Sequence, residues 1–390
     1  MTKIAAEPLS LLRARTSYKW QTYPADVLPL FVAEMDYPLA EPVQQAIIGR
    51  VLASDTGYVA GPDPVAAAFT RYAGRTWDWN PDPGDVRITT DVSVAIVECL
   101  RQTVPVDGSV VITPPVYPPF YELPLEAEAS VVEVPLLLTG RGWQLDLPAV
   151  ERAFARGADA LLLCNPHNPL GMVHSAETLR ALADLSARYG VAVISDEIHA
   201  PLTYAPNTFT PYLSVSDNAR EFGICVTAAS KGWNIAGTKC AVMVASSART
   251  RLQLDSMPAE VSARTSILGL HAAVAAYDDG GPWLAGVLAS LTDNRRLLGE
   301  LLAAELPEVT YHPPSAGYLA WLDFRGLGWG TDPAAVALEQ GRVALEPGLK
   351  FGRLGAGFAR LNFACSPEVL TEAVARLARV RETSAGGDQP

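Results

Sequence analysis

"ADALLLCNPHNPLGMVHSAETLRALADLSARYGVAVISDEIH" (residues 158–199) reads as strand, turn, helix and strand in succession. The apolar run Ala160–Cys164 ends in the polar turn Asn165–Gly171, and the run from Val191 ends in charge at Asp196–His199. Between them leucines and alanines return at helical spacing, with Ser175 and Glu177–Thr178 placed to start the helix. Short apolar strands alternating with helices predict a mostly parallel sheet covered on both faces.

The alternation extends outward. "DVRIT", "SVVITPP", "SVVEVPLL", "EFGICVTAASKG" and "GTKCAVMVAS" read as further strands, and "DVSVAIVECLRQTV" and "DLPAVERAFARG" as helices, the second opening on an Asp cap. Residues 258–306 are mainly helical, and the chain beyond them suggests a small α+β domain. The expected organisation is an N-terminal arm with part of the small domain over 1–45, a large domain over 46–285, the small domain over 286–382 and a disordered tail over 383–390.

A chain of 390 residues suits two cores, since single cores stop growing near roughly 250–300 residues. The charge of −12 is spread out and no basic tract occurs, which argues against nucleic acid as a partner. No signal-peptide stretch opens the chain, and no apolar run reaches the roughly 18–20 residues of a membrane span. The five cysteines form no CxxC and no zinc spacing, so no metal site is expected and buried thiols in a reducing, cytoplasmic compartment are.

In such a sheet ligands gather beyond the carboxyl ends of the strands. Thr89–Ser93, Pro114–Phe120, Asn165–Gly171, Asp196–His199 and Ser230–Lys231 all fall there. Together they match the demands of pyridoxal 5'-phosphate: Lys231 as the amine that holds the aldehyde, and Asp196 as the carboxylate that keeps the ring nitrogen protonated. The helix starting at Val92 offers backbone N–H groups to a phosphate, with Ser93, Ser230 and Lys239 as further donors. Tyr117 could stack on the ring, Asn168 could donate to its 3′-oxygen, and Arg360 could pair with a substrate carboxylate. Each also has a plain structural alternative: a solvated lysine, an Asp or Ser cap, a packed tyrosine, a simple Asn-Pro turn, a structural ion pair.

"SDEIH", "SKGWNIAGTK", "NPHNPLG" and "GFARLNFAC" resemble the fold type I pyridoxal phosphate enzymes of the class I/II aminotransferase superfamily. "RTSYKW", "LPLFVAEMDYPL", Gly57–Tyr58, "PPVYPPF" and "GYLAWLDFRGL" resemble, within it, the MalY/PatB-type C–S lyases, also called cystathionine β-lyases. The resemblance implies Lys231 as the Schiff-base lysine, Asp196 as the pyridine partner, Asn168 at the 3′-oxygen and Tyr117 on the ring. It also implies Ser230 with Val92–Ser93 at the phosphate and Arg360 as the carboxylate clamp. Lys239 stands where aminotransferases usually carry a phosphate-binding arginine. Tyr58 corresponds to a tyrosine that reaches the neighbouring subunit's phosphate, which implies a homodimer with shared sites. Lys19 and Trp20 would line the substrate entrance.

There are departures. His199 stands where the aminotransferases commonly have Tyr, which agrees with the lyase group. Gly317 replaces a Thr frequent in that group, and "TTDVSVA" replaces its usual phosphate turn. The expected reaction is α,β-elimination from an L-cysteine S-conjugate such as cystathionine, with Lys231 moving the α-proton and Tyr58 or Tyr117 as a further proton donor. The alternatives are an aminotransferase, a related lyase of secondary metabolism acting on a bulky conjugate, and a regulatory protein built on the fold.

Overall fold

The computed structural model describes residues 2–140 and 142–386. They form two units. The larger takes in Leu39–His167 and Met172–Leu284; the smaller takes the described residues up to Pro38, the loop Asn168–Gly171, and those from Ala285 onward.

The larger unit is built on seven strands: β1 (Val86–Thr89), β2 (Ser109–Ile112), β3 (Ser130–Glu133), β4 (Ala160–Cys164), β5 (Ala192–Asp196), β6 (Gly223–Thr227) and β7 (Ala241–Val244). Their order is β1-β7-β6-β5-β4-β2-β3. Every residue of β4, β5 and β6 is buried, as strands covered on both faces must be. Helices start where side chains satisfy their first N–H groups: the Asp91 carboxylate accepts from Val94 at 3.0 Å, Asp146 from Ala149 at 2.9 Å, and the Ser175 hydroxyl from Thr178 at 3.1 Å.

Strand β7 is antiparallel to both neighbours. The chain between β6 and β7 holds only the one-turn helix Ala229–Gly232 and the 3-10 turn Ala236–Thr238, too little for a crossover helix. The reversal brings the amino end of β7 to the edge where the parallel strands finish. Ala241 pairs with Thr89, and continuing that register sets Lys239 beside Asp91.

The smaller unit carries an antiparallel sheet of β8 (Thr310–Tyr311), β9 (Leu319–Asp323), β10 (Glu346–Pro347) and β11 (Phe358–Asn362), in the order β8-β9-β11-β10. The arm is tied to this unit: Leu28–Pro29 pairs in parallel with Val343–Ala344, and Tyr18–Gln21 is a helical turn. The last helix runs Pro367–Gly386, so the backbone of residues 383–386 continues it instead of forming the expected disordered tail; residues 387–390 lie outside those described. Among the described residues no helix is long and apolar enough to cross a membrane, and no His, Cys, Asp and Glu side chains gather as a metal site. All five cysteines are buried and unbridged.

Candidate active site

Asp196 ends β5, all of whose residues are buried because the sheet is covered on both faces. It is 4 % exposed. Burial pushes its carboxyl up to about 7, against the opposing effects of an N–H from Ile198 at 3.1 Å and the charge of Lys231. Lys231 lies half-buried on the single helical turn after β6. A buried carboxylate in this state lacks a full counter-charge, and a protonated pyridine nitrogen would supply one. The residues present therefore fit the cofactor that the sequence suggests.

Glu197, the next residue, was not singled out from sequence. Its carboxylate is buried and accepts from the Ser195 hydroxyl at 2.9 Å, the Tyr212 backbone N–H at 2.8 Å and the Cys225 thiol at 3.3 Å. Burial raises its pKa to about 7 while these donors hold it down. Three segments are thereby tied behind Asp196. No local pattern announces such a network, because its donors come from chain up to 28 residues away.

At the same edge, the Lys239 ammonium meets the Asp91 carboxylate at 3.1 Å, both partly exposed. The cap of the helix Val92–Thr103 is thus an acid paired with the lysine expected to add positive charge. Val92 is buried at that helix start, with Ser93 half-buried after it; Ser230 and Tyr117 are also half-buried, Tyr117 packing edge-on to Phe120 at 6.0 Å. His199 is buried just past β5. Tyr58 is 94 % exposed.

The smaller unit holds Arg360, Asn168, Lys19 and Trp20. Arg360 is buried on β11; its guanidinium donates to Asn168 Oδ1 at 3.0 Å and to the Phe31 carbonyl at 2.9 Å, and lies over the Phe351 ring at 5.0 Å. Asn168 and Arg360, 192 residues apart, are therefore brought together. Gly317 has φ +79, a left-handed backbone that a threonine rarely adopts.

Lys19 does not face an entrance. Its ammonium is fully buried against Asp36 at 2.7 Å and the Glu34 carbonyl at 3.2 Å, with the Trp20 ring 5.5 Å away. Burial pushes the Asp36 carboxyl up and the Lys19 charge opposes it. A buried pair of this kind ties the arm to its own unit, and removing one partner would strand the other. Trp20 is likewise buried.

His167, inside "NPHNP", packs edge-on to His174 at 6.4 Å. Burial, with the His174 charge adding, lowers the His167 pKa to about 3; burial lowers that of His174 to about 4. The folded chain therefore refuses protons that the unfolded chain accepts below about 6.5, so this contribution is present above pH 6.5 and is lost as pH falls toward 3. A His167→Leu variant lacks it. Chemical denaturation at pH 7.5 and 5.0 should show the parent losing about 2 kcal/mol relative to the variant. Parallel pH dependence in the two would refute the assignment.

The sequence pattern of the family Aminotransferase class I and II matches residues 56–377. A protein of Mycobacterium leprae named "Putative cystathionine beta-lyase" is 41 % identical, over 97 % of this chain and 98 % of its own length. The cystathionine beta-lyase of Corynebacterium glutamicum is 37 % identical, over 95 % and 98 %. A crystal structure from Corynebacterium diphtheriae, a "putative plp-dependent beta-cystathionase", superposes with a TM-score of 0.92 at 36 % identity, over 97 % of this chain and 99 % of that one. Fold, buried acid and relatives agree, and the chain belongs to the class I/II aminotransferase family, in its branch of pyridoxal phosphate-dependent MalY/PatB-type C–S lyases.

Proposed function

We propose that this enzyme cleaves the C–S bond of L-cysteine S-conjugates such as cystathionine by α,β-elimination, releasing a thiol, pyruvate and ammonia. The observation that carries the site assignment is the buried Asp196 carboxyl at the end of β5, raised to about 7 by its burial against the opposing charge of Lys231. When bound, pyridoxal phosphate supplies an aldehyde for an amine and a ring that takes up the electron pair left on the substrate's Cα. In this reading Asp196 holds the proton on the ring nitrogen. Lys231 would hold the cofactor through its amine and, when that amine is free, would take the proton from Cα. Overall the Cα–H and Cβ–S bonds would break, Lys231 would pass the Cα proton on to the leaving thiolate, and the free enamine would take up water to give pyruvate and ammonia.

The other residues position. Arg360 pairs with the substrate carboxylate and so fixes the Cα–H bond relative to the ring, the kind of orientation that lowers a barrier without new chemistry. With Oδ1 of Asn168 accepting from Arg360, the donor end of that amide is the one assigned to the ring's 3′-oxygen. Tyr117 would stack on the ring, and His199 is assigned to the same cofactor site. Ser230, the N–H groups of Val92 and Ser93, and Lys239 hold the phosphate, which requires Lys239 to share its charge with Asp91.

A homodimer completes the reading. Besides Tyr58, the helix Glu41–Leu52 leaves Ile48, Val51 and Leu52 exposed by 42, 54 and 80 %, an apolar surface that a second copy would cover. Five buried, unbridged thiols suit a reducing cytoplasm.

The test incubates the purified holoenzyme with cystathionine, cystine and S-alkyl cysteines, following pyruvate and thiol together. Equal release without any added keto acid is expected. Turnover that depends on a keto acid and yields no pyruvate from these substrates would overturn the assignment in favour of amino transfer.

A further inference from the structure

Trp321 stands directly opposite Arg360 in the β9–β11 pair, so the two side chains share one face of the sheet. Its ring lies flat on Phe358, with centroids 5.3 Å apart and planes 10° off parallel, and edge-on to Phe351 at 5.1 Å. Phe351 is the ring beneath the Arg360 guanidinium. Leu170, two residues beyond Asn168, packs on the same cluster. Within these four side chains the one polar group is the Trp321 Nε1–H, which is buried and meets no acceptor among the described residues, while guanidinium groups of Arg360 and Arg325 cap the Phe351 and Phe358 rings. A buried donor left unpaired costs stability, and native structures seldom keep one without use.

The indoles of Trp20 and Trp329 are buried in the same condition. Trp329 stacks on Phe324 instead, and neither shares a register position or an aromatic neighbour with Arg360. Arg360, for its part, already spends N–H groups on Asn168 and Phe31. A carboxylate has two oxygens and about four acceptor positions, more than the remainder of that guanidinium saturates. We propose that the Trp321 Nε1–H donates to the substrate's α-carboxylate beside Arg360, as a second arm of the clamp. The inference rests on the reading of Arg360 as that clamp.

Trp321→Phe keeps an aromatic ring for the stack and removes the donor. In the holoenzyme it should raise KM for cystathionine roughly ten- to hundredfold, the size expected for a hydrogen bond to a charged group, with kcat little changed. Trp329→Phe should change neither. The independent readout is the ¹H–¹⁵N spectrum of holoenzyme labelled at the indole nitrogens of its 8 tryptophans. The resonance missing in Trp321→Phe, or in Trp321→Tyr should the first not fold, should move on saturation with L-alanine and stay in place with ethylamine, which lacks the carboxylate.

A raised KM in Arg360→Lys with an unchanged KM in Trp321→Phe and an unmoved resonance overturns this inference alone. Unchanged KM in both variants removes the clamp reading and the inference with it.

Discussion

Lys231→Ala should leave a folded protein that no longer holds pyridoxal phosphate covalently and has lost at least about 10⁴-fold in turnover, the combined weight of a missing nucleophile and a missing proton carrier. The structural reasons are local. Lys231 sits on a single helical turn anchored by buried Ala229 and Gly232, so a smaller side chain there removes an amine without opening a core. Its charge is one of the influences that hold the Asp196 carboxyl down. Lys231→Arg restores the cation but neither the nucleophile nor the proton carrier, because a guanidinium stays protonated; it should rescue nothing. The measurement is borohydride reduction of each holoenzyme followed by digestion and mass analysis. The cofactor's mass should fall on the peptide containing Lys231 in the parent and on no peptide in either variant. A label on another lysine, or pyruvate release surviving in Lys231→Ala, would remove the chemistry proposed above.

What the sequence revealed and what it hid divide along the range of the interactions. The sheet was legible because buried strands declare themselves by unbroken apolar runs, and because Asp91, Asp146 and Ser175 act as caps within three residues of where they stand. Placing polar residues after such strands was enough to assemble Asp196, Asn165 and Lys231 on one edge of the larger unit. The reversal of β7 was not legible: its composition is that of any buried strand, and only the shortness of the preceding connection sets its direction. The pairing of Lys239 with Asp91 follows from that reversal.

The loop Asn168–Gly171 shows the same limit. It belongs to the smaller unit although the chain on both sides belongs to the larger. Gly171 has φ +59, and a Cβ there would stand 2.2 Å from the Pro314 Cβ and 2.6 Å from the Ala316 carbonyl oxygen, while the Gly171 carbonyl accepts from both Ser315 and Ala316 at 2.9 Å. The glycine was visible in "NPLG"; the segment it approaches, over 140 residues later, was not. Lys19 erred in the other direction. The resemblance set it at a substrate entrance, whereas its own chain offers Asp36 and buries the pair.

Asp196→Asn should retain the fold and some cofactor but lose about 10²–10³-fold in kcat, the usual loss when a preorganised group facing developing charge is removed. The amide keeps the shape and can still accept the Ile198 N–H; what goes is the negative charge that holds a proton on the ring nitrogen. The cofactor-free chain offers a second, non-kinetic check. With the folded-state pKa raised from 3.8 to about 7, the folded chain holds a proton that the unfolded chain has released. The stability from this group is therefore complete below pH 3.8 and is lost as pH rises through 7, on the order of 4 kcal/mol across the window. The asparagine variant has no such loss, so its stability relative to the parent should climb between pH 4 and pH 8 in denaturant titrations of the stripped proteins. Cofactor binding should then stabilise the parent at neutral pH more than the variant, because only the parent has a buried negative charge for a cation to neutralise. Identical pH dependence in the two stripped proteins, together with undiminished kcat, would mean that Asp196 is a strand-end residue of no special charge, and that the ring nitrogen, if the cofactor binds, is held elsewhere.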